Sequence, residues 1–131
     1  QMIAVDYLIL NRDRYGANIE ILRNARARIL RIAPLFDHGS SLLYSCISDE
    51  DVMKFDIMED KRCQNFIGSY SCYENLNFIK ACGDVFDGKL KESDRSIIFE
   101  GLETILSEVF IDKIWNMIYE RYKIYENLSN N

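Results

Sequence analysis

The sequence predicts a mainly α-helical domain that carries one small β-hairpin near residues 19–32. Three observations lead there. Only one Pro and six Gly occur in 131 residues, too little chain punctuation for a loop-rich or all-β protein. Apolar residues recur at helical spacing through much of the chain, most clearly at Ile97, Ile98, Leu102, Ile105, Leu106 and Val109. One stretch, Ile19-Glu20-Ile21-Leu22, alternates instead, as a short strand does.

Composition narrows the function classes. The length fits one domain, residues 1–131, large enough to bury a core without disulfide or metal staples. A formal charge of −5 argues against nucleic-acid binding by bulk charge, so no direct nucleic-acid partner is expected. No apolar run approaches the ~18 residues of a membrane span, and the first residues lack the basic start of a secretory signal. Cys46, Cys63, Cys72 and Cys82 form no C-x-x-C pair, and His38 is the only histidine. Thiols therefore fit better than a zinc site, and a reduced, cytoplasmic setting is predicted.

Taken in order, Met2, Val5, Leu8 and Ile9 follow a helical period, with no capping residue ahead of them. Residues 11–18 are polar and read as a loop. Strands at 19–22 and 28–32, turned at Asn24 to Ala27, make the hairpin. Pro34 ends it, and Phe36-Asp37-His38-Gly39 opens a second polar loop. Ser48-Asp49-Glu50-Asp51 starts a short helix, whose acidic first turn suits the dipole. Residues 56–72 show no clean period. Glu74 to Cys82 reads as a helix stopped by Gly83, and Asp87-Gly88 as a turn. Ser93 or Asp94 caps a helix bearing the Ile97-to-Val109 stripe. Asp112 caps the last helix, whose stripe is Ile111, Ile114, Trp115, Ile118, Tyr122 and Tyr125. Trp115 and its tyrosines, Tyr119 included, read as core packing or as a face left bare by a missing lobe, not as a cofactor box. The tail from Asn127 is polar and expected to fray.

The informative chemistry lies in Asp13-Arg14-Tyr15-Gly16-Ala17-Asn18 together with Asp37. Phosphoryl transfer in kinases uses one carboxylate to take the proton of the acceptor hydroxyl, and an amide plus a second carboxylate to hold magnesium against the phosphates. The first carboxylate and the amide stand five residues apart on one loop, as Asp13 and Asn18 do. The second carboxylate follows a hairpin, as Asp37 does in Asp37-His38-Gly39. Magnesium takes hard oxygen ligands and few of them from protein, which suits an Asn and an Asp. The base must be unliganded, which suits Asp13.

The wording around these residues goes further. Residues 6–18, which contain Asn11-Arg12-Asp13-Arg14-Tyr15-Gly16-Ala17-Asn18, resemble the catalytic segment of HipA-like protein kinases, which read N-x-D-R-H-x-x-N or close to it. Ala33 to Leu42 resembles that family's magnesium segment, an apolar stretch ending in Asp and followed by Ser. Lipid kinases related to phosphatidylinositol 3-kinase share D-R-H-x-x-N but lack the Asn held here by Asn11. The resemblance covers residues 6–42. It departs at Tyr15, where the family has His, and at His38.

It implies the helical C-terminal lobe of a protein-kinase-like fold. It also implies ATP and Mg2+ as cofactors, Asp13 as catalytic base, and Asn18 and Asp37 as metal and nucleotide ligands. A protein substrate bearing a Ser/Thr-type hydroxyl follows, with an antitoxin-type protein partner permitted. No glycine-rich loop and no strand lysine precede residue 6, so the resemblance places a partner N-terminal lobe outside this chain. Isolated, the chain is then expected to be inactive. Two rival readings stay open: a kinase-derived binding module without turnover, and a helical partner-interaction domain whose Asp13 and Asn18 merely shape a turn. Arg23, Arg26, Arg28 and Arg31 read as a solvated basic hairpin, and His38, with no nucleophile to serve, as a loop residue.

Overall fold

The computed structural model describes residues 2–65, 68–81 and 88–129. Among these, helices dominate: α1 (Met2–Leu8), α2 (Asp49–Lys54), α3 (Cys72–Ala81), α4 (Asp94–Ile98) and α5 (Glu108–Ser129). The mainly α reading holds. The hairpin also forms where alternation placed it, from β2 (Ile21–Asn24) and β3 (Ile29–Ile32), antiparallel with Ile21 opposite Ile32. Asn24 folds the turn by accepting the backbone N–H groups of Arg26 and Ala27 at 3.1 and 3.0 Å. A second sheet has no local signal: β1 (Asp13–Arg14) pairs in parallel with β4 (Gln64–Asn65), some fifty residues on.

Packing centres on α5. Its first half meets α2 and the loop before it, burying Leu43, Val52, Phe99, Ile111, Ile114 and Trp115. Its second half meets α1 and α3, burying Ala4, Tyr7, Leu10, Leu76, Met117, Tyr122 and Tyr125. Trp115 stacks on Tyr119 with ring centroids 5.3 Å apart, so the aromatic stripe is core, as its spacing indicates. Arg121 is buried in this second cluster. It donates to the carbonyls of Tyr7, Ile57 and Glu59 at 3.0–3.3 Å and lies over the Tyr7 ring. Burial pushes its pKa below the ordinary guanidinium value, and the three carbonyls make the charge tolerable.

Several element boundaries differ from expectation. In α1 the buried positions are Ile3, Ala4, Asp6 and Tyr7, while the Met2, Val5, Leu8, Ile9 stripe lies on the half-buried flank. The helix expected from residue 94 to 109 is broken. Gly101 takes φ +82°, which ends α4 and leads into a 3-10 turn at Leu102–Thr104. Ile97 and Ile105 are exposed, so that stripe is not one buried face. α5 then starts at Glu108, before Asp112, and continues to Ser129 rather than fraying at Asn127. α3 begins two residues before Glu74, and its expected stop at Cys82 and Gly83, like Asp87, lies outside the described residues. Ser48 caps α2 as predicted, with Asp51 completing a reciprocal capping box.

Candidate functional site

The site begins where α1 ends. Leu10 turns left-handed at φ +52°, and Leu10 N–H and Asn11 N–H bond back to the carbonyls of Tyr7 and Asp6 at 3.3 and 2.8 Å. This is a Schellman stop built on leucine instead of glycine, and burial of Leu10 in the core holds it. Asn11 leaves the stop aimed backwards. Its Nδ2 donates to Asp6 Oδ1 at 2.9 Å, while its Oδ1 accepts Asp13 N–H at 3.3 Å. The residue that separated the two kinase resemblances therefore sets the entry of Asp13 into the loop.

Arg14 then organises both loops from a fully buried position, 0% exposed. Nε and Nη2 grip the two oxygens of Asp6, each at 3.0 Å. Nη1 donates to the carbonyls of Asn18 at 3.0 Å and Phe36 at 2.8 Å. Nη2 also meets His38 Nε2 at 3.1 Å. A guanidinium can only donate, so His38 Nε2 is the acceptor and its ring proton sits on Nδ1. One side chain thus ties the segment holding Asp13 and Asn18 to the residues on either side of Asp37. Two backbone bonds reinforce the seam: Arg12 N–H to Ser40 O at 3.2 Å and Leu42 N–H to Ile9 O at 2.7 Å.

The predicted site residues fall around this hub. Asp13 is half-buried on β1. Asn18 is buried at the end of a 3-10 turn, Gly16–Asn18, and its Nδ2 donates to the Asp13 carbonyl at 2.9 Å. That carbonyl can only accept, so the amide nitrogen faces it and the amide oxygen faces away from it. Asp37 is exposed and left-handed, φ +55°, a conformation Asp tolerates better than most residues. Tyr15, in the position where the resembled family has His, is exposed. His38 does more than fill a loop, since it closes on Arg14. Ser41 Oγ, between Asp37 and Leu42, is buried without a hydrogen-bond partner among the described residues.

Beyond Asp13 the chain meets the segment 62–65. Gln64 N–H bonds to Arg12 O at 2.7 Å, and an open cleft of about 400 Å³ forms, lined by residues that include Arg12, Asp13, Tyr44, Arg62 and Tyr70. Among the described residues no group of three or more His, Cys, Asp or Glu is placed to hold a metal ion. No helix there is long and apolar enough to cross a membrane.

Asp6 and Arg14, which organise the site, did not stand out by spacing. Once the buried face of α1 is known to hold Ile3, Ala4 and Tyr7, Asp6 falls on it, where an acid needs a buried cation. Comparison with models of protein families, with curated proteins and with solved structures found no match to this chain.

Proposed function

We propose that this chain carries the catalytic lobe of a HipA-like, protein-kinase-like Ser/Thr phosphotransferase. The observation that carries the proposal is the Arg14 hub. It holds the Asp13–Asn18 segment against the residues flanking Asp37, as a shared nucleotide site requires. Left-handed φ values at Leu10, Asp37 and Leu42 support it, because strained backbone persists where surrounding structure enforces it and clusters at working sites. The donor chemistry fits magnesium: the amide oxygen of Asn18, turned away from the Asp13 carbonyl, and the exposed carboxylate of Asp37 are hard oxygen donors. When bound, the metal neutralises charge on the transferring phosphoryl group.

In this reading Asp13 accepts the proton of the acceptor hydroxyl as that oxygen bonds to the γ-phosphorus. The bond from phosphorus to the bridging oxygen breaks, and ADP leaves with its electron pair. Phosphate clamping is assigned to an N-terminal lobe. The hairpin is where that lobe rests: Ile21, Leu30 and Ile32 share one face of it and are all exposed, a row of apolar side chains that calls for a cover. The same row favours the second reading, a docking module without turnover.

Calorimetry separates the two. Mg-ATP is titrated into the chain joined to its clamping lobe, as wild type, Asp13→Asn, Asn18→Ala and Asp37→Asn, and transfer is then measured in the same proteins. Asp13→Asn should retain binding and lose transfer by about 10²–10⁴. Asp37→Asn should lose the metal-dependent part of ATP affinity, and Asn18→Ala should fall between. Binding abolished by Asp13→Asn but intact in Asp37→Asn reverses the assignment. Normal transfer by all three ends the kinase reading, and no Mg-ATP binding in the wild type leaves the docking module.

A further inference from the structure

We infer that the cleft beside Asp13 is an anion-reading site for an acidic peptide, one with a carboxylate or phosphate close to the acceptor hydroxyl. The role of acceptor rests on the kinase reading above; the anion site stands on the cleft itself. Asp13 lines this cleft and Asn18 and Asp37 do not, so the cleft is distinct from the proposed metal ligands. Two guanidiniums do line it, those of Arg12 and Arg62. Among the described residues neither has a carboxylate within ion-pair distance. In a chain of net charge −5, two unpaired arginines in one cleft form a local field opposite to that of the whole, which selects anionic partners.

Both arginines are also held in place. Arg12 donates through Nε to the Arg62 carbonyl at 3.0 Å and through Nη1 to Tyr44 Oη at 3.2 Å, which leaves Nη2 for a ligand. The Arg62 guanidinium lies 4.3 Å from the Tyr70 ring centre, and its backbone is pinned by a bridge to Ser71. A guanidinium resting on a ring keeps its in-plane N–H donors available for a carboxylate or phosphate. The nearest acid of that segment, Asp60, is already engaged. It accepts the Ser71 hydroxyl and, at 3.2 Å, Tyr73 N–H at the start of α3. The cleft is open to solvent and Asp13 lines it, so a peptide seated there can present a hydroxyl to Asp13.

The test is an NMR titration of the ¹⁵N-labelled chain with three peptides of one length centred on serine. One has Asp and Glu flanks, one has Lys flanks, and one has a phosphoserine two residues from the central serine. The expected result is binding of the acidic and phosphorylated peptides at least tenfold tighter than the basic one, with shifts at Arg12, Arg62 and Gln64. Whichever anionic peptide binds more tightly identifies the preferred anion. Arg62→Gln should weaken both by about tenfold, the scale of one charge-assisted contact, and Arg62→Lys should restore part of the loss. Arg26→Gln on the hairpin should change nothing. Among the described residues the Arg62 side chain makes no hydrogen bond or ion pair and lies over the Tyr70 ring, so these variants are expected to fold, which the ¹⁵N spectrum of each checks. Equal affinity for the basic peptide, or indifference to Arg62→Gln, overturns the proposal. Loss of peptide selectivity with Mg-ATP binding intact would overturn the anion site and spare the kinase reading; the converse would spare the anion site alone.

Discussion

Replacing Arg14 with methionine should be among the most damaging single changes in this chain. The side chain is 0% exposed and its partner Asp6 only 4%, so water cannot take over either end. The substitution removes two bonds to Asp6 at 3.0 Å, two to the carbonyls of Asn18 and Phe36, and the contact with His38. What remains is a buried carboxylate held, among the described residues, by Asn11 Nδ2 alone. Breaking a buried pair from one side costs about 3–5 kcal/mol, a large share of the ~5–15 kcal/mol that holds a domain of this size. Arg14→Lys keeps the charge but not the fork, and should recover only part of the loss. Removing both charges, as Asp6→Leu with Arg14→Met, should restore much of the stability, because no orphaned ion is left. It should not restore Mg-ATP binding, because the carbonyls of Asn18 and Phe36 remain untied. Urea unfolding of the wild type, Arg14→Met, Asp6→Leu and the double variant gives the coupling energy, and nucleotide titration gives the second readout. A cost below about 1 kcal/mol for Arg14→Met, or simple additivity in the double variant, would refute the hub.

Three further outcomes are expected. Asp51 has its pKa held below the usual carboxylate value by the N–H of Ile47 and by the hydroxyl and N–H of Ser48. Its capping contribution is therefore full above the unfolded value near ~3.9 and is lost as pH falls through the lower folded value; hydrogen exchange of α2 amides should show that loss, and Asp51→Asn should abolish it. Gly101→Ala should destabilise by about 1–2 kcal/mol from backbone strain alone, since an added Cβ meets nothing within 4 Å; a neutral thermal melt would contradict the left-handed assignment. The hydrogen bond between the thiols lowers the pKa of Cys63 and, with burial, raises that of Cys72, so iodoacetamide followed by mass spectrometry should find Cys63 labelled before Cys72.

What the sequence disclosed was local in origin. The hairpin was readable because strands pair across a four-residue turn that Asn24 organises. The start of α2 was readable because a capping box spans four residues. The aromatic stripe of α5 was readable because one long helix repeats its period past two cores. The pairing of β1 with β4 was not readable, since two-residue strands carry no alternation and their partners lie far apart in sequence. Nor was the break at Gly101: the apolar period of Ile97 to Val109 runs through it, and an isolated glycine inside a helical pattern is often tolerated. Asp13, Asn18 and Asp37 stood out by spacing. Asp6 and Arg14 did not, because a buried ion pair between a helix and the loop after it announces itself only when the face of the helix is known.

The hub also explains why the local rules fail where they do. Among the described residues, four that are not glycine have positive φ: Leu10, Arg28, Asp37 and Leu42. Arg28 closes an exposed hairpin turn, where such a conformation is ordinary. The other three lie on the two segments that Arg14 and the Ile9–Leu42 and Arg12–Ser40 backbone bonds draw together. Leucine gains nothing locally from a left-handed backbone, so Leu10 and Leu42 are held there by the packing and hydrogen bonds around them. A helix stopped by leucine sends Asn11 back to Asp6 and Asp13 forward into the loop; a glycine stop would bury no side chain to hold that turn. Local preference is overridden at successive points along one seam, and Asp13, Asn18 and Asp37 lie on the two segments that the seam joins. Chains break their local rules most often where a site requires it, which is why the seam, more than the spacing of the three residues, supports the proposed site.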